Sequence, residues 1–457
     1  MTDGLPLPRR YTAILAISFG TALLVIDGGI ATVALPTIAR DLKVDNSAAV
    51  LVVTIYQLVL VMTLLPFANL GDRIGHRRLY QYGQILFTVA TILCFFAKSL
   101  PFLLTVRAAQ ALGAAAALSV SSAMLRATYP EKQLGRGMGV NAVVVSSAIA
   151  FAPTLGGLIL GIAPWPWVFA AAAPFGIVSL MLGRALPDPV PRDQPFDMLG
   201  AVLCAGFFGL VIVGLESGVH GDSPVISAAI VLTGAAIGWV FVRRSLGDPH
   251  PILPVDLLGS RVIALSVIGA FASFIGSMTL MLTLPFRLQQ QFGFSPGEVG
   301  AMIAPWPLTT LFVAPLAGAL SDRYPAGALG GIGMSISVVG LTLMAFLPAD
   351  PTYLDIAWRM SLCGIGSGLF LSPNARLIIG SAPIHRAAAA GGLISTNRLL
   401  GQTIGATLVA TLLAVGLGNG PVPALAAAGM AAIAGLCSIA RLNPAIRNPR
   451  TEEIETS

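Results

Sequence analysis

The sequence predicts an all-α integral membrane protein of fourteen transmembrane helices, arranged as two repeated six-helix halves with two helices inserted between them. Three observations carry that expectation. The 457 residues are 56% hydrophobic and only 10% charged, with a mean hydropathy of +0.85, too little polar surface to dissolve a globule of this size. Apolar runs of about 20 residues recur along the whole length, each enough to cross the hydrocarbon core of a bilayer as a helix. Two polar features of the first part of the chain return in the second part at one common offset.

Apolar runs bounded by Gly, Pro and charge place span starts near residues 12, 48, 80, 101, 137, 165, 197, 224, 262, 297, 328, 353, 388 and 421. With both termini on the cytoplasmic side, the inside segments hold nineteen basic residues. These are Arg9, Arg10, Arg73, Arg77, Arg78, Arg126, Lys132, Arg136, Arg184, Arg192, Arg243, Arg244, Arg261, Arg323, Arg376, Arg386, Arg441, Arg447 and Arg450. The outside segments hold four: Arg40, Lys43, Lys98 and Arg287. Such an excess fixes the orientation by the positive-inside rule and requires an even number of spans. The net charge of +6 is thereby topogenic rather than a sign of a nucleic-acid partner. A bacterial inner-membrane location follows as an expectation.

Arg107, Arg359 and Arg398 fall inside spans, where each must face protein or water. Cys94, Cys204, Cys363 and Cys437 stand singly in apolar runs, as packing residues do. His76, His220, His250 and His385 are scattered among the connections, so no cluster suited to a metal centre or an embedded enzyme is expected.

The repeat organises the chain. Gly318-Ala319-Leu320-Ser321-Asp322-Arg323 follows the tenth span as Asn69 to Arg73 follows the second, and Arg359 lies early in the twelfth span as Arg107 lies early in the fourth. The expected divisions are a first half at 11–184, inserted helices with linkers at 185–260, a second half at 261–441 and a cytoplasmic tail at 442–457. Repeated halves enclosing a pathway are the architecture of secondary transporters.

Three motifs add a resemblance. Asp72-Arg73-Ile74-Gly75-His76-Arg77-Arg78 forms a glycine-broken basic turn between the second and third spans. Arg107 and Gln110 lie in the fourth, and Ala152-Pro153-Thr154-Leu155-Gly156-Gly157 lies in the fifth. Together they resemble the signatures of the major facilitator superfamily and are most similar to those of its fourteen-helix drug:proton antiporters. Ala68, His76, Ala111 and Ala152 depart from the usual pattern. The resemblance implies that Gly71, Asp72, Arg73, Gly75, Arg77 and Arg78 gate the cytoplasmic side, and that Pro153, Gly156 and Gly157 accompany export. Pro removes a backbone donor, and the paired glycines offer a smooth face for another helix.

Asp27 is the one acid expected deep in a span, because Glu216 and Glu298 are expected at outer ends that water reaches. Asp27 lies about 10 Å from the outer end of the first helix, and Arg107 about 9 Å into the fourth, at 1.5 Å per residue. Their depths match, so the two are expected to meet. Burial favours the neutral acid and a guanidinium favours the carboxylate, so a change in their separation would load and release a proton. The offset maps Asp27 near Ser277, so the second half lacks this acid.

Tyr56, Gln57, Gln110, Asn141, Asn397, Arg398 and Gln402, with Met302 and Trp306, are candidates to line the pathway. A nucleotide loop is absent from the sequence: the Gly364-Ile365-Gly366-Ser367-Gly368 run sits inside a span without a Lys-Ser/Thr. No cofactor is expected, only a proton gradient as the energy source. The expected function is proton-coupled export, by a monomer, of hydrophobic cationic or neutral drug-like compounds. The alternative is export of one endogenous metabolite or organic anion.

Overall fold

The computed structural model describes residues 4–130, 134–187, 196–219, 223–246, 253–383 and 386–443. Lys132, Arg192, His220, His250, His385, Arg447 and Arg450 lie outside the described residues, as do the side chains of Arg136 and Asn141.

Every regular element among the described residues is helical. In chain order these are α1 (Arg9–Leu42), α2 (Asn46–Ile74), α3 (His76–Cys94), α4 (Leu100–Thr128), α5 (Leu134–Ile162), α6 (Pro166–Ala170), α7 (Ala173–Leu182), α8 (Met198–Val219), α9 (Pro224–Leu246) and α10 (Arg261–Phe286). There follow α11 (Pro296–Ile303), α12 (Pro305–Leu320), α13 (Ala326–Ala345), α14 (Tyr353–Ser381), α15 (Ala387–Ala414) and α16 (Val422–Ala440). Among the described residues, eleven helical segments are long and apolar enough to cross a membrane. Two of them are broken: α6 and α7 share one span, and α11 and α12 share another.

Local chemistry sets several ends. Ser295 and Glu298 form a reciprocal capping box at the start of α11, and Thr352 and Asp355 form one at the start of α14, so orphan amide donors of the first turn are satisfied. Lys43, with φ of 54°, closes α1 in the left-handed region.

The segment from Ala68 to Arg78, expected as a turn, is helical almost throughout. The second helix runs on to Ile74 and the third begins at His76. Only Gly75 leaves the helix, at φ of 98°, a conformation that strains any residue with a Cβ. Gly75→Ala is expected to destabilise the protein by about 1–3 kcal/mol, read as a lowered unfolding temperature in detergent.

The chain divides into two compact units: Met1–Phe241 with Pro285–Ala304, and Val242–Leu284 with Pro305–Ser457. In the first, α1 packs on α5 and α7, α2 on α4, and α3 on α4. Small residues make these approaches close. A Cβ on Gly113 of α4 would stand 2.5 Å from the backbone nitrogen of Phe87 on α3, and one on Gly71 would stand 2.5 Å from Val120 of α4. The helices α8 and α9 attach to this unit: α8 lies along α2, where Gly209 meets Met62, and Gly214 and Gly234 bring α8 and α9 together.

Glu216 is a correction to the sequence reading. Expected at a water-accessible helix end, it is only 8% exposed. The α8–α9 contact encloses its surroundings, with Gly214 against Val231 and Ser217 within 3.1 Å of Ser227.

In the second unit, α14 packs against both α12 and α13, and α13 against α16. The glycine run of α14 makes this possible: Gly364 faces the Trp306 carbonyl on α12, Gly366 the Gly333 carbonyl on α13, and Gly368 Val313 on α12. Its role is helix packing.

Candidate functional site

The first unit contains a buried ionic cluster in which α1, α3 and α4 converge. Asp27 is 0% and Arg107 1% exposed. Arg107 Nη1 donates to Asp27 Oδ2 at 2.5 Å and to Gln110 Oε1 at 2.6 Å, while its Nε donates to the Val52 carbonyl at 3.2 Å. Gln110 Nε2 donates to the other carboxylate oxygen, Asp27 Oδ1, at 2.9 Å and to Thr91 Oγ1 at 2.8 Å. Arg107 and Gln110 are three apart on α4 and so project from one face.

Aromatic rings cover the guanidinium. Its carbon lies 4.4 Å from the centroid of Tyr56 and 5.2 Å from that of Phe169, a cation–π arrangement that gains strength where water is excluded. A buried ion pair is tolerable only when the remaining polar atoms are also satisfied, and both carboxylate oxygens are.

Thr91, Cys94, Val52 and Phe169 belong to this cluster, and the sequence reading does not include them. Cys94 Sγ sits 3.9 Å from Gln110 Oε1, so it touches the polar network as well as packing. For Thr91 a signal does exist: Gln84, Thr88 and Thr91 recur at helical spacing along α3 and mark a buried polar face.

The motif residues Pro153, Thr154, Gly156 and Gly157 of α5 form a seam with α1 and α11. A Cβ on Gly156 would stand 2.9 Å from the Ile30 carbonyl of α1, three residues from Asp27. The same atom on Gly157 would stand 2.6 Å from the Pro296 carbonyl of α11, and on Gly300 2.6 Å from the Pro153 carbonyl. Thr154 Oγ1 donates to the Gly300 carbonyl at 3.4 Å. The backbones touch here, which only glycine permits.

Near the α2–α3 junction, Asp72 Oδ1 meets His76 Nε2 at 3.0 Å, and Arg77 Nη2 donates to the Arg184 carbonyl at 3.1 Å. Arg73 and Arg78 are exposed. The echo of this motif in the second unit is arranged differently, with Asp322 paired to Arg376 of α14.

The remaining pathway candidates are dispersed. Gln57 and Met302 are buried in the first unit. Asn397 is buried in the second, donating to the Val267 carbonyl at 3.0 Å. Trp306 borders a small pocket of the second unit together with Ser273, Ser277, Ser337 and Ser367. Arg359 is neutralised on its own helix by Asp355 at 3.4 Å. Arg398 is partly exposed, on a stripe of α15 shared with Ser395 and Gln402. Among the described residues it makes no hydrogen bond or ion pair.

The comparisons agree with this architecture. The family model "Major Facilitator Superfamily" matches residues 17–247 and 266–456. The chain belongs to the major facilitator superfamily. It is 44% identical over 438 residues to the "uncharacterized transporter YebQ" of Escherichia coli (strain K12), covering 95% of this chain and 96% of that one. Similarity extends to the riboflavin transporter RibZ of Clostridioides difficile (32% identity; 90% and 89% covered). It extends also to the multidrug resistance protein Stp of Mycobacterium tuberculosis (30%; 89% and 76% covered). Among solved structures, an inward-facing bacterial homologue of the human lysosomal transporter Spinster superposes with a TM-score of 0.69 over 95% of this chain and 98% of that one, at 18% identity. That likeness concerns the fold alone. A multi-pass membrane transporter with small-molecule substrates is thus the established reading of this superfamily member.

Proposed function

We propose that this transporter is a proton-coupled exporter of hydrophobic, drug-like compounds, cationic or neutral, working by alternating access. The observation that carries the reading is the buried Asp27–Arg107–Gln110 cluster, a protonatable carboxylate held against a permanent cation. In the carboxylate form Asp27 is matched by Arg107. Protonation would free the guanidinium, and a conformation that hydrates one partner more than the other would favour one state of the acid. That linkage is sufficient to couple proton entry to cargo exit. Similarity to a multidrug resistance protein supports the cargo class.

The proposal includes fourteen spans, a bacterial inner-membrane location with both termini cytoplasmic, and a monomer as the working unit. Gly71, Asp72, Arg73, Gly75, Arg77 and Arg78 are assigned to the cytoplasmic gate. The seam at Pro153, Gly156 and Gly157 is assigned to the export direction.

A second reading keeps the fold and changes the cargo to one metabolite or organic anion. Arg398, the intramembrane arginine without a counter-charge among the described residues, favours it, and so does the likeness to a riboflavin transporter. Susceptibility of cells with and without the gene, across cationic, neutral and anionic compounds, separates the readings. Increased tolerance to several hydrophobic cations is the expected result; no change for any compound sinks the drug-export reading. In vesicles, an imposed potential at constant pH should drive export of a neutral compound and leave one-for-one exchange of a proton with a monovalent cation unaffected.

A further inference from the structure

Beyond the Asp27 cluster, the first unit buries a second polar group that the proposed transport cycle does not use. On α3, Tyr80, Gln84, Thr88 and Thr91 follow one another at spacings of four, four and three, so all four lie along one stripe. All are buried, and Gln84 is 0% exposed. Facing them are Ser179 of α7 and the backbone of α1 at Ala16 and Gly20.

Tyr80 Oη and Ser179 Oγ both donate to the Ala16 carbonyl, at 3.3 and 2.8 Å. A Cβ on Gly20 would fall within 2.8 Å of three polar atoms from two other helices: Tyr80 Oη, Gln84 Nε2 and Ser179 Oγ. Gly20 therefore leaves the place where these groups converge free of hydrocarbon. Above them, Thr88 Oγ1 donates to the Gln84 carbonyl at 2.7 Å and lies against Gly176 of α7, where a Cβ would again collide with it.

Neither the amide nitrogen nor the side-chain oxygen of Gln84 completes a hydrogen bond of ordinary length among the described residues, although the nitrogen lies beside the Tyr80 hydroxyl. A buried amide left so is costly, by about 1–3 kcal/mol, and a polar site of this kind is where internal water binds. At its other end the stripe reaches the ionic cluster, since Thr91 accepts from Gln110, which in turn donates to Asp27. From Thr91 to Tyr80 is eleven residues, about 16 Å along the helix, toward the α2–α3 junction at Gly75.

We propose that the α3 stripe is a proton exit from Asp27: a hydrated file running through Thr91, Thr88, Gln84 and Tyr80, separate from the route taken by cargo. The proposal rests on the proton-coupled reading of Asp27. The protonated carboxyl gives its proton to a water in the file and becomes the carboxylate that pairs with Arg107. Each hydroxyl or water along the way accepts one proton and releases one, so a single proton leaves at the far end with no other change. Gln110 and Gln84 position the file through their amides and do not carry the proton themselves.

The test uses the purified full chain reconstituted in lipid vesicles and needs no known cargo. The Asp27 carboxyl is followed by its infrared band, defined as the difference between the native protein and Asp27→Asn, after a rapid pH jump. Gln84→Met, close in volume and without hydrogen-bonding groups, and Thr88→Val are expected to slow the response at least tenfold. Gln84→Glu should restore most of the rate. Unfolding temperatures measured alongside separate a packing role from a conducting one, and Ser179→Ala supplies a milder variant should Gln84→Met fail to fold. A lowered unfolding temperature with an unchanged band rate overturns the proposal. A missing Asp27-dependent band at every pH overturns instead the proton-coupled reading of Asp27, and the file falls with it.

Discussion

Asp27→Asn is expected to abolish efflux driven by a pH gradient, with at least a hundredfold loss of initial rate in everted vesicles. Among the described residues the carboxyl is the one acid in contact with the intramembrane guanidinium of Arg107, and asparagine keeps its shape while removing the titration. The same change leaves a buried Arg107 without its counter-charge, which costs about 3–5 kcal/mol in comparable buried pairs. Lost transport could therefore arise from lost folding, and a companion variant separates the two. Asp27→Asn combined with Arg107→Gln removes both charges. Its unfolding temperature is expected to recover toward the native value, while gradient-driven efflux stays absent. Retention of gradient-driven efflux by Asp27→Asn would reduce the cluster to a static pair that fixes the packing of α1 on α4.

Gly157→Ala is expected to cut efflux at least tenfold, although the change adds a single methyl group. A Cβ at this position would stand 2.6 Å from the Pro296 carbonyl and 3.1 Å from Gly300 Cα, and neither atom is the end of a flexible side chain. The backbones of α5 and α11 must part to admit it, at a cost of about 1–3 kcal/mol by analogy with overpacked cores. Gly300→Ala meets the Pro153 carbonyl at 2.6 Å and should behave alike. One turn further along α5, a Cβ on Gly161 would meet nothing within 4 Å. Gly161→Ala therefore serves as the control, with efflux and unfolding temperature unchanged. Equal tolerance of alanine at 157 and 161 would show that the seam has no bearing on the cycle. Because Gly156 rests on the Ile30 carbonyl, strain in the seam reaches α1 one turn from Asp27.

Much of the helical framework was legible in the chain because a bilayer constrains sequence strongly. A spanning segment must satisfy its own backbone hydrogen bonds, so apolar run length and bounding charge nearly determine where helices lie. A helix begins within four residues of each predicted start. The junction around Gly75 was harder to read. Its basic and glycine residues look like a loop, yet a helix emerging at a membrane surface satisfies its own backbone and can extend into water, so only the residue with positive φ breaks it. Glu216 was misjudged for a related reason: distance from a helix end does not report what the neighbouring helix covers.

The Asp27 site divides along the same line. Matching depth on two helices made a meeting of Asp27 with Arg107 the natural expectation, because unpaired charges are so costly at that depth. The polar spacing of Gln84, Thr88 and Thr91 marks a buried face on α3, but nothing in the residue order indicated that this face meets Asp27 or that Phe169 covers Arg107, since helix rotation and tilt decide which face of α3 and α6 turns inward, and packing sets both.

By itself the sequence determined the class of the protein, where its helices begin and the pairing of Asp27 with Arg107, because each follows from hydropathy, charge and spacing along one chain. Only the tertiary structure decided which atoms touch: that Gln110 bridges Asp27 to Thr91, that the Pro153–Gly157 segment binds α5 to both α1 and α11, and that Gln84 is buried beside Tyr80 without a hydrogen bond of ordinary length. Those contacts depend on the rotation of rigid helices about their own axes, set by the summed packing of side chains far apart in sequence.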